Sequence, residues 1–389
     1  MNRRNFIKLG ATASGVAVAG CGADGSAKAS AEDIRVGHRK LGGTGLKVST
    51  ITFGGDGPEN PELLLAALDL GINTIWTSPE YRDGRAQESV GRAIRAAERR
   101  QDEMVMFTGI ELAKITTKQS VLDTIDGSLR RLGTDHLDIF AVFQVGSPRD
   151  LRTDALHEAI FEAKRAGKVG HLGLTGHSGD MEACLEAAIE DGRFDVFCIR
   201  YDFVSYPNQG RILHRAAEKG IGTMVFKVNA GNRHRELEDL ASGGRHFNQA
   251  AVKWALTNPD VASVCIRITN FDQLRDYAAA VGTALEKSEV AMLSRYADEM
   301  YDKYCRFCGT CESSCPHHVS VADVNRFAMY FKYYGREKEA MQLYRSLPGN
   351  RSAAMCDACE GSCDRACPFG RAVQTELVEA HNLLSFSHA

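Results

Sequence analysis

Between residues 50 and 266 the chain repeats one unit eight times, a short run of apolar β-branched or aromatic residues followed by a stretch with amphipathic helical spacing. The runs are Thr50-Phe53, Thr74-Thr77, Met104-Thr108, Asp138-Phe143, His171-Thr175, Val196-Arg200, Thr223-Lys227 and Ser263-Ile266. Such alternation argues for a parallel sheet covered by helices. Eight units predict an α/β fold, a closed (β/α)8 TIM barrel. Helix stops are legible at Ala166-Gly167-Lys168 and Lys219-Gly220, where Gly follows a basic helical end.

A second feature lies beyond the repeats. Eight of the twelve cysteines fall between Cys305 and Cys367. The first four, Cys305, Cys308, Cys311 and Cys315, have the spacing C-x2-C-x2-C-x3-C-P. The second four, Cys356, Cys359, Cys363 and Cys367, differ by one extra residue before the third cysteine and are again followed by Pro. The first spacing resembles that of bacterial ferredoxins. Closely spaced triplets suit metal thiolate ligation better than cystine geometry, so two 4Fe-4S clusters are expected, with zinc and disulfides as the alternatives. In two-cluster ferredoxins the fourth cysteine crosses to the other cluster. That resemblance pairs Cys305, Cys308 and Cys311 with Cys367, and Cys356, Cys359 and Cys363 with Cys315.

The opening Asn2-Arg3-Arg4-Asn5-Phe6-Ile7-Lys8 resembles a twin-arginine export signal, followed by a weakly apolar stretch, Leu9 to Gly20. That stretch is too short and too rich in Gly and Ala for a spanning helix. It ends Val18-Ala19-Gly20-Cys21, which resembles a bacterial lipobox; the resemblance implies a diacylglycerol thioether on Cys21, the alternative being an incidental thiol. Residues Gly22 to Glu32 are small and polar and suit a flexible tether. The expectation is an exported protein, periplasmic or extracytoplasmic, held to the membrane by its lipid. A net charge of −3 without a basic stripe gives no footprint for nucleic acid.

The body of the chain resembles the aldo-keto reductases. The match runs through Arg39-Lys40-Leu41-Gly42-Gly43-Thr44-Gly45-Leu46-Lys47-Val48-Ser49, Gly71-Ile72-Asn73, Glu88-Ser89-Val90-Gly91-Arg92-Ala93, Leu129-Arg130-Arg131-Leu132-Gly133-Thr134-Asp135 and Ala251-Val252-Lys253-Trp254-Ala255-Leu256. The two cysteine groups resemble the ferredoxin-like tail of one branch of that family. Three regions are expected: residues 1-34 as signal and tether, 35-290 as the barrel, and 291-389 as a small α-helical two-cluster domain.

The family reduces carbonyls with NADPH, using a Tyr proton donor, a Lys and an Asp that lower its pKa, and a His that orients the substrate. Here only Tyr81 remains, with Trp76 in the Asp position, Gly109 in the Lys position and Phe143 in the His position. A lone tyrosine, with a pKa of about 10, is a weak acid or base at neutral pH. After the eighth run, Arg267 stands where the family usually has Gly, while Asn270 and Gln273 match its cofactor-binding residues. Arg267 either binds an anion or fills the room a glycine leaves for the dinucleotide. NADPH use is therefore not expected.

Chemistry in such barrels sits at the C-terminal ends of the strands. The candidates there are Asp56, Tyr81, Glu111, Gln144, His177, Arg200, Tyr201, Asp202, Lys227, Asn229 and Arg267. His177 is singled out because an imidazole moves protons near neutral pH, against its reading as a plain polar loop residue. Lys227, Arg200 and Arg267 would make the mouth cationic, suiting a polyhydroxy acid, a phosphate or a sugar carboxylate, unless Asp56, Glu111 and Asp202 pair with them. Cys184, Cys198 and Cys265 lack ligand spacing and read as core thiols. The leading functional reading is an exported oxidoreductase acting on a small polar substrate, with electrons passing through two clusters to a redox partner. The alternatives are a non-catalytic electron-transfer or partner-binding subunit and an NADPH-dependent carbonyl reductase.

Overall fold

The computed structural model describes residues 34–54, 60–97, 103–176, 181–204, 209–230, 244–300 and 305–385. A short antiparallel hairpin, β1 (His38–Lys40) and β2 (Lys47–Ser49), precedes the barrel. The barrel strands are β3 (Ile51–Gly54), β4 (Thr74–Trp76), β5 (Val105–Glu111), β6 (Leu137–Phe143), β7 (Val169–Gly176), β8 (Val196–Arg200), β9 (Gly222–Phe226) and β10 (Ser263–Arg267). They pair in parallel in chain order, and β10 closes against β3.

All eight expected runs form strands, though β5 and β7 extend past their apolar runs. Gly109 stays in β5 because it remains in register with Ala141, as Glu111 does with Phe143. Pairing with β6 overrides the weak strand propensity of glycine. Phe107, Ile139, Ala141, Val196, Cys198 and Met224 fill the barrel interior together with Leu41 and Val48 of the hairpin. Leu41 lies so close to Gly222, the first residue of β9, that a Cβ there would collide with it. The hairpin thus plugs the end where the strands begin, leaving the opposite end for chemistry.

The outer layer is α1 (Pro61–Asp69), α2 (Arg85–Ala96), α3 (Lys118–Leu132), α4 (Asp154–Arg165), α5 (Met181–Asp191), α6 (Gln209–Glu218), α7 (Gly244–Leu256) and α8 (Phe271–Ala280). Thr117 caps α3 by accepting from the Ser120 N–H, and Gly133, at φ 72°, ends it. Gly167 and Gly220, at φ 71° and 76°, stop the chain after α4 and α6 where the sequence expects it.

The expected junction at residues 290–291 lies inside α9 (Lys287–Glu299). This helix packs on the barrel: Lys253 meets Glu289 at 2.8 Å, and the Tyr296 ring centroid lies 4.9 Å from that of Phe247. The tail then forms α10 (Val321–Tyr334), α11 (Glu337–Arg345), α12 (Ser362–Ala366) and α13 (Val373–Leu384). Phe327 of α10, Ala340 and Tyr344 of α11 and Leu377 of α13 are buried in one core continuous with the barrel's outer layer. Among the described residues no helix is long and apolar enough to cross a membrane.

Candidate active site

A cavity of about 800 Å³ opens at the C-terminal ends of the strands. Every barrel strand reaches it, through Gly54, Trp76, Glu111, Phe143, Thr175, Cys198, Phe226 and Cys265. Its far wall comes from the tail: Arg326 and Tyr330 of α10, Arg336 in the turn that follows, and Glu339 and Leu343 of α11. The sequence reading missed this wall, because nothing in the spacing of α10 marks it as more than a helix with one apolar face.

On the β4–β6 side the cavity is aromatic. Trp76 meets Phe107 edge-on at 4.4 Å and Phe143 at 6.4 Å between ring centroids. Its indole Nε1 donates to the Tyr81 hydroxyl at 3.2 Å. At Gly109 a Cβ would run into the carbonyl oxygen of Ala141 on the neighbouring strand, so the position admits no side chain unless β6 moves. The floor holds Cys198 and Cys265. Burial pushes the Cys198 thiol well up and the Cys265 thiol up to about 12, so both are neutral. Cys184 is a core thiol as read, whereas Cys198 and Cys265 also face the cavity.

On the opposite side Lys227 follows β9 with φ 58°, a left-handed conformation that is uncommon outside glycine and often found at functional positions. Its Nζ donates to the Tyr330 hydroxyl at 2.7 Å and stands 4.9 Å from the centroid of that ring. Burial first, then the charges of Arg326, Arg200 and Arg336, hold the Lys227 amine well below the usual lysine range. Burial pushes the Tyr330 phenol up, opposed by Arg326 and Arg336. Arg326 pairs with Asp323 at 2.8 Å and Arg336 with Glu339 at 2.6 Å. Next to Lys227, Asn229 hydrogen-bonds the Tyr277 hydroxyl, and its buried Oδ1 has no partner among the described residues.

The expected cationic mouth is therefore corrected in its members. Arg200 is 7% exposed, with Nε donating to Asp202 at 3.0 Å, and it does not line the cavity. Tyr201 stacks on Trp254 at 4.9 Å and is likewise buried away from the mouth. Arg267 does line the cavity, as do Glu111, Gln144, Lys227 and Asn229. Asn270 and Gln273 are engaged in their own turn: Asn270 accepts from the Gln273 N–H, and Gln273 Oε1 accepts from the N–H and hydroxyl of Thr269. His177, Asp56 and Cys21 lie outside the described residues.

The tail cysteines are free thiols drawn into two neighbourhoods. Burial pushes the Cys311 thiol up, and its next contributors are Cys305, Cys308, Glu312 and Cys367. Burial likewise pushes Cys356 up to about 12, followed by Cys315, Cys363 and Cys359. Each group thus holds three thiols from one segment and the last from the other. The sulfurs are already hydrogen-bonded: Cys305 accepts from the Phe307 N–H and Cys315 from the Val319 N–H, both at 3.4 Å. Gln374 of α13 donates to the carbonyls of Cys356 and Cys359 at 2.9 and 2.8 Å, fixing the second loop. The first loop rests on the barrel, with the Arg200 guanidinium 4.7 Å from the Phe307 ring centroid. No three His, Cys, Asp or Glu side chains among the described residues form a group suited to a metal ion.

A closed parallel eight-stranded barrel with chemistry-bearing side chains at its C-terminal mouth defines the class, and residues 50–239 match the model of the Aldo/keto reductase family. The barrel is similar to that family, and the chain is an aldo/keto-reductase-like oxidoreductase. It is 26% identical over 315 residues to the uncharacterized oxidoreductase YrpG of Bacillus subtilis (strain 168), covering 65% of this chain and 94% of that one. It is 25% identical over 290 residues to L-galactose dehydrogenase of Arabidopsis thaliana, covering 64% and 88%. The holo form of aldo-keto reductase AKR11C1 from Bacillus halodurans superposes with a TM-score of 0.57 at 22% identity, over 67% of this chain and 96% of that chain, a likeness of fold.

Proposed function

We propose that this oxidoreductase acts on a small hydroxylated, anionic substrate held between barrel and tail, and that its electrons pass through two 4Fe-4S clusters to an external redox partner. The observation that carries the reading is the shared cavity: the tail that holds the thiol groups also supplies Arg326, Tyr330 and Arg336 to the mouth. Arg267, Arg326 and Arg336 at the cavity favour an anionic group. The Asn229 Oδ1, without a partner among the described residues, suits a hydroxyl donor, since a buried acceptor left unmade is costly.

Two groups of four thiols support cluster binding by Cys305, Cys308, Cys311 and Cys367, and by Cys356, Cys359, Cys363 and Cys315. The spacing of the cysteines along the chain, with Pro after each fourth, favours a cluster over zinc. When bound, such clusters supply one-electron transfer. The nicotinamide cofactor of the family does not fit this reading. The Asn270 and Gln273 side chains serve their own turn, and Arg267 replaces a small residue at the cavity edge. For residues 1-34 we propose twin-arginine export with a lipid on Cys21; the Arg3→Lys, Arg4→Lys double variant should stay in the cytoplasm, and normal export of that variant would remove the assignment.

The test is the visible spectrum of anaerobically purified protein mixed with D-gluconate, D-glucose or L-lactate. Substrate-dependent bleaching of cluster absorbance supports an enzyme. A second reading, a scaffold barrel serving an electron-transfer subunit, is favoured by the aromatic filling around Trp76 and is upheld if no probe alters the spectrum.

A further inference from the structure

We propose that Tyr330 and Lys227 are the proton-handling pair of this cavity, a pair assembled across the junction between tail and barrel in place of the barrel's own tyrosine. The inference rests on the reading of the cavity as the place where substrate reacts. Tyr81 lies across the same cavity, but its hydroxyl is held by the Trp76 indole, which carries no charge and takes no proton. Gly109 leaves no room for an amine on that side. The Lys227 amine is 2.7 Å from the Tyr330 oxygen, both residues line the cavity, and the backbone at Lys227 is held at φ 58°. A left-handed lysine at a strand end persists only where its surroundings fix it, and here the fixed side chain meets a single tyrosine.

Charged groups face the pair from every side: Arg200 at the end of β8, Arg326 on α10, Arg336 beyond it and Glu339 on α11. Across the cavity stand Glu80, Glu111 and Arg267. The cationic majority beside the pair, together with burial, favours a neutral amine. At 2.7 Å a neutral amine can also accept from the phenol once the hydroxyl hydrogen turns toward it, and it is then a base for the phenol's proton. In the direction of substrate oxidation, a substrate hydroxyl passes its proton to the Tyr330 oxygen while the Tyr330 proton passes to Lys227 Nζ. The O–H bond of the substrate breaks, an N–H bond forms, and the net charge is unchanged: one alkoxide and one ammonium. No electrons move in this step. In the direction of reduction the same two protons return.

Two measurements on the full-length, cluster-bearing protein decide it. The first is competitive acetylation across pH, read by mass spectrometry, with each lysine normalised to its own plateau. Lys227 should reach its midpoint at least ten-fold lower in hydroxide concentration than exposed Lys287 and Lys338, and Tyr330→Phe should shift that midpoint. A midpoint shared with the exposed lysines, or one indifferent to Tyr330→Phe, overturns the pair. The second is the pH profile of D-gluconate-, D-glucose- or L-lactate-dependent reduction of ferricenium. Tyr330→Phe should lower kcat about 100-fold with little change in KM and remove an ionisation from the profile. Tyr81→Phe should keep the wild-type profile even if KM rises. Loss of the ionisation in Tyr81→Phe, with Tyr330→Phe retaining it, overturns the proposal. If no probe turns over while the acetylation result holds, the pair stands and the reading of the cavity as a reaction site falls.

Discussion

The two walls of the cavity show how one barrel mouth carries opposite chemistries. The β4–β6 wall occupies the positions where the aldo-keto reductase resemblance expects acid, amine and imidazole, and it is built of Trp76, Gly109 and Phe143. The β9 wall has Lys227 from the barrel, and its hydrogen-bond partner Tyr330, with Arg326 and Arg336 beside it, comes from a segment about 100 residues further on. The first wall buries aromatic surface, with Glu80 and Glu111 at its rim. The second gathers charge around a buried amine. Function in such a fold follows the side chains at the strand ends, and an added domain can supply them as readily as the strands do.

The largest test of this contrast removes the tail's organisation. Cys315→Ala should abolish substrate-dependent bleaching and lower iron and acid-labile sulfide from about eight of each per chain toward four, the loss falling on the group with Cys356, Cys359 and Cys363. Loss confined to the group of Cys305, Cys308 and Cys311 would mean that each segment ligates its own cluster.

On the aromatic wall, Gly109→Ala should destabilise the barrel by about 1–3 kcal/mol in urea denaturation, because the added methyl meets the Ala141 carbonyl on β6. An unchanged midpoint would show that β5 and β6 have slack, and that a lysine can be restored there. On the charged rim, Arg336→Gln should raise the KM for an anionic probe about ten-fold and lift the lowered Lys227 midpoint in the acetylation profile.

The smallest effect concerns pH. The Lys227 amine is held below its ordinary value in the fold, so between that lowered pKa and the unfolded value of about 10.4 the unfolded chain binds more protons. Stability from this residue therefore rises with pH across that window and falls as pH drops through the folded pKa. Lys227→Met should flatten the slope by at most about 1.4 kcal/mol per pH unit, measured by urea denaturation at several pH values. A steeper slope in the variant would contradict a neutral amine.

The barrel was legible because each strand carries an apolar β-branched or aromatic run and the helices after β6 and β8 stop at glycines, signals that are local. Lys227 was legible by its place after the seventh barrel strand. Its partner was not, since Tyr330 is an ordinary apolar-face residue of α10 until the tail folds back over the mouth. Arg200 follows the alternative that the sequence left open: Asp202, only two residues away, pairs with it and takes it out of the mouth. The cysteine spacing located the thiols, and burial and neighbours then sort them into groups that no local spacing displays.

The central claim is that barrel and tail make one redox site. It is tested most directly by mixing anaerobic, cluster-bearing protein with hydroxylated anions and following the visible spectrum, with NADPH and simple aldehydes as the competing assay. The account predicts bleaching by a hydroxylated anion and negligible NADPH oxidation. NADPH oxidation at rates usual for the family, abolished by Tyr81→Phe, with a spectrum indifferent to every hydroxylated anion, would contradict it.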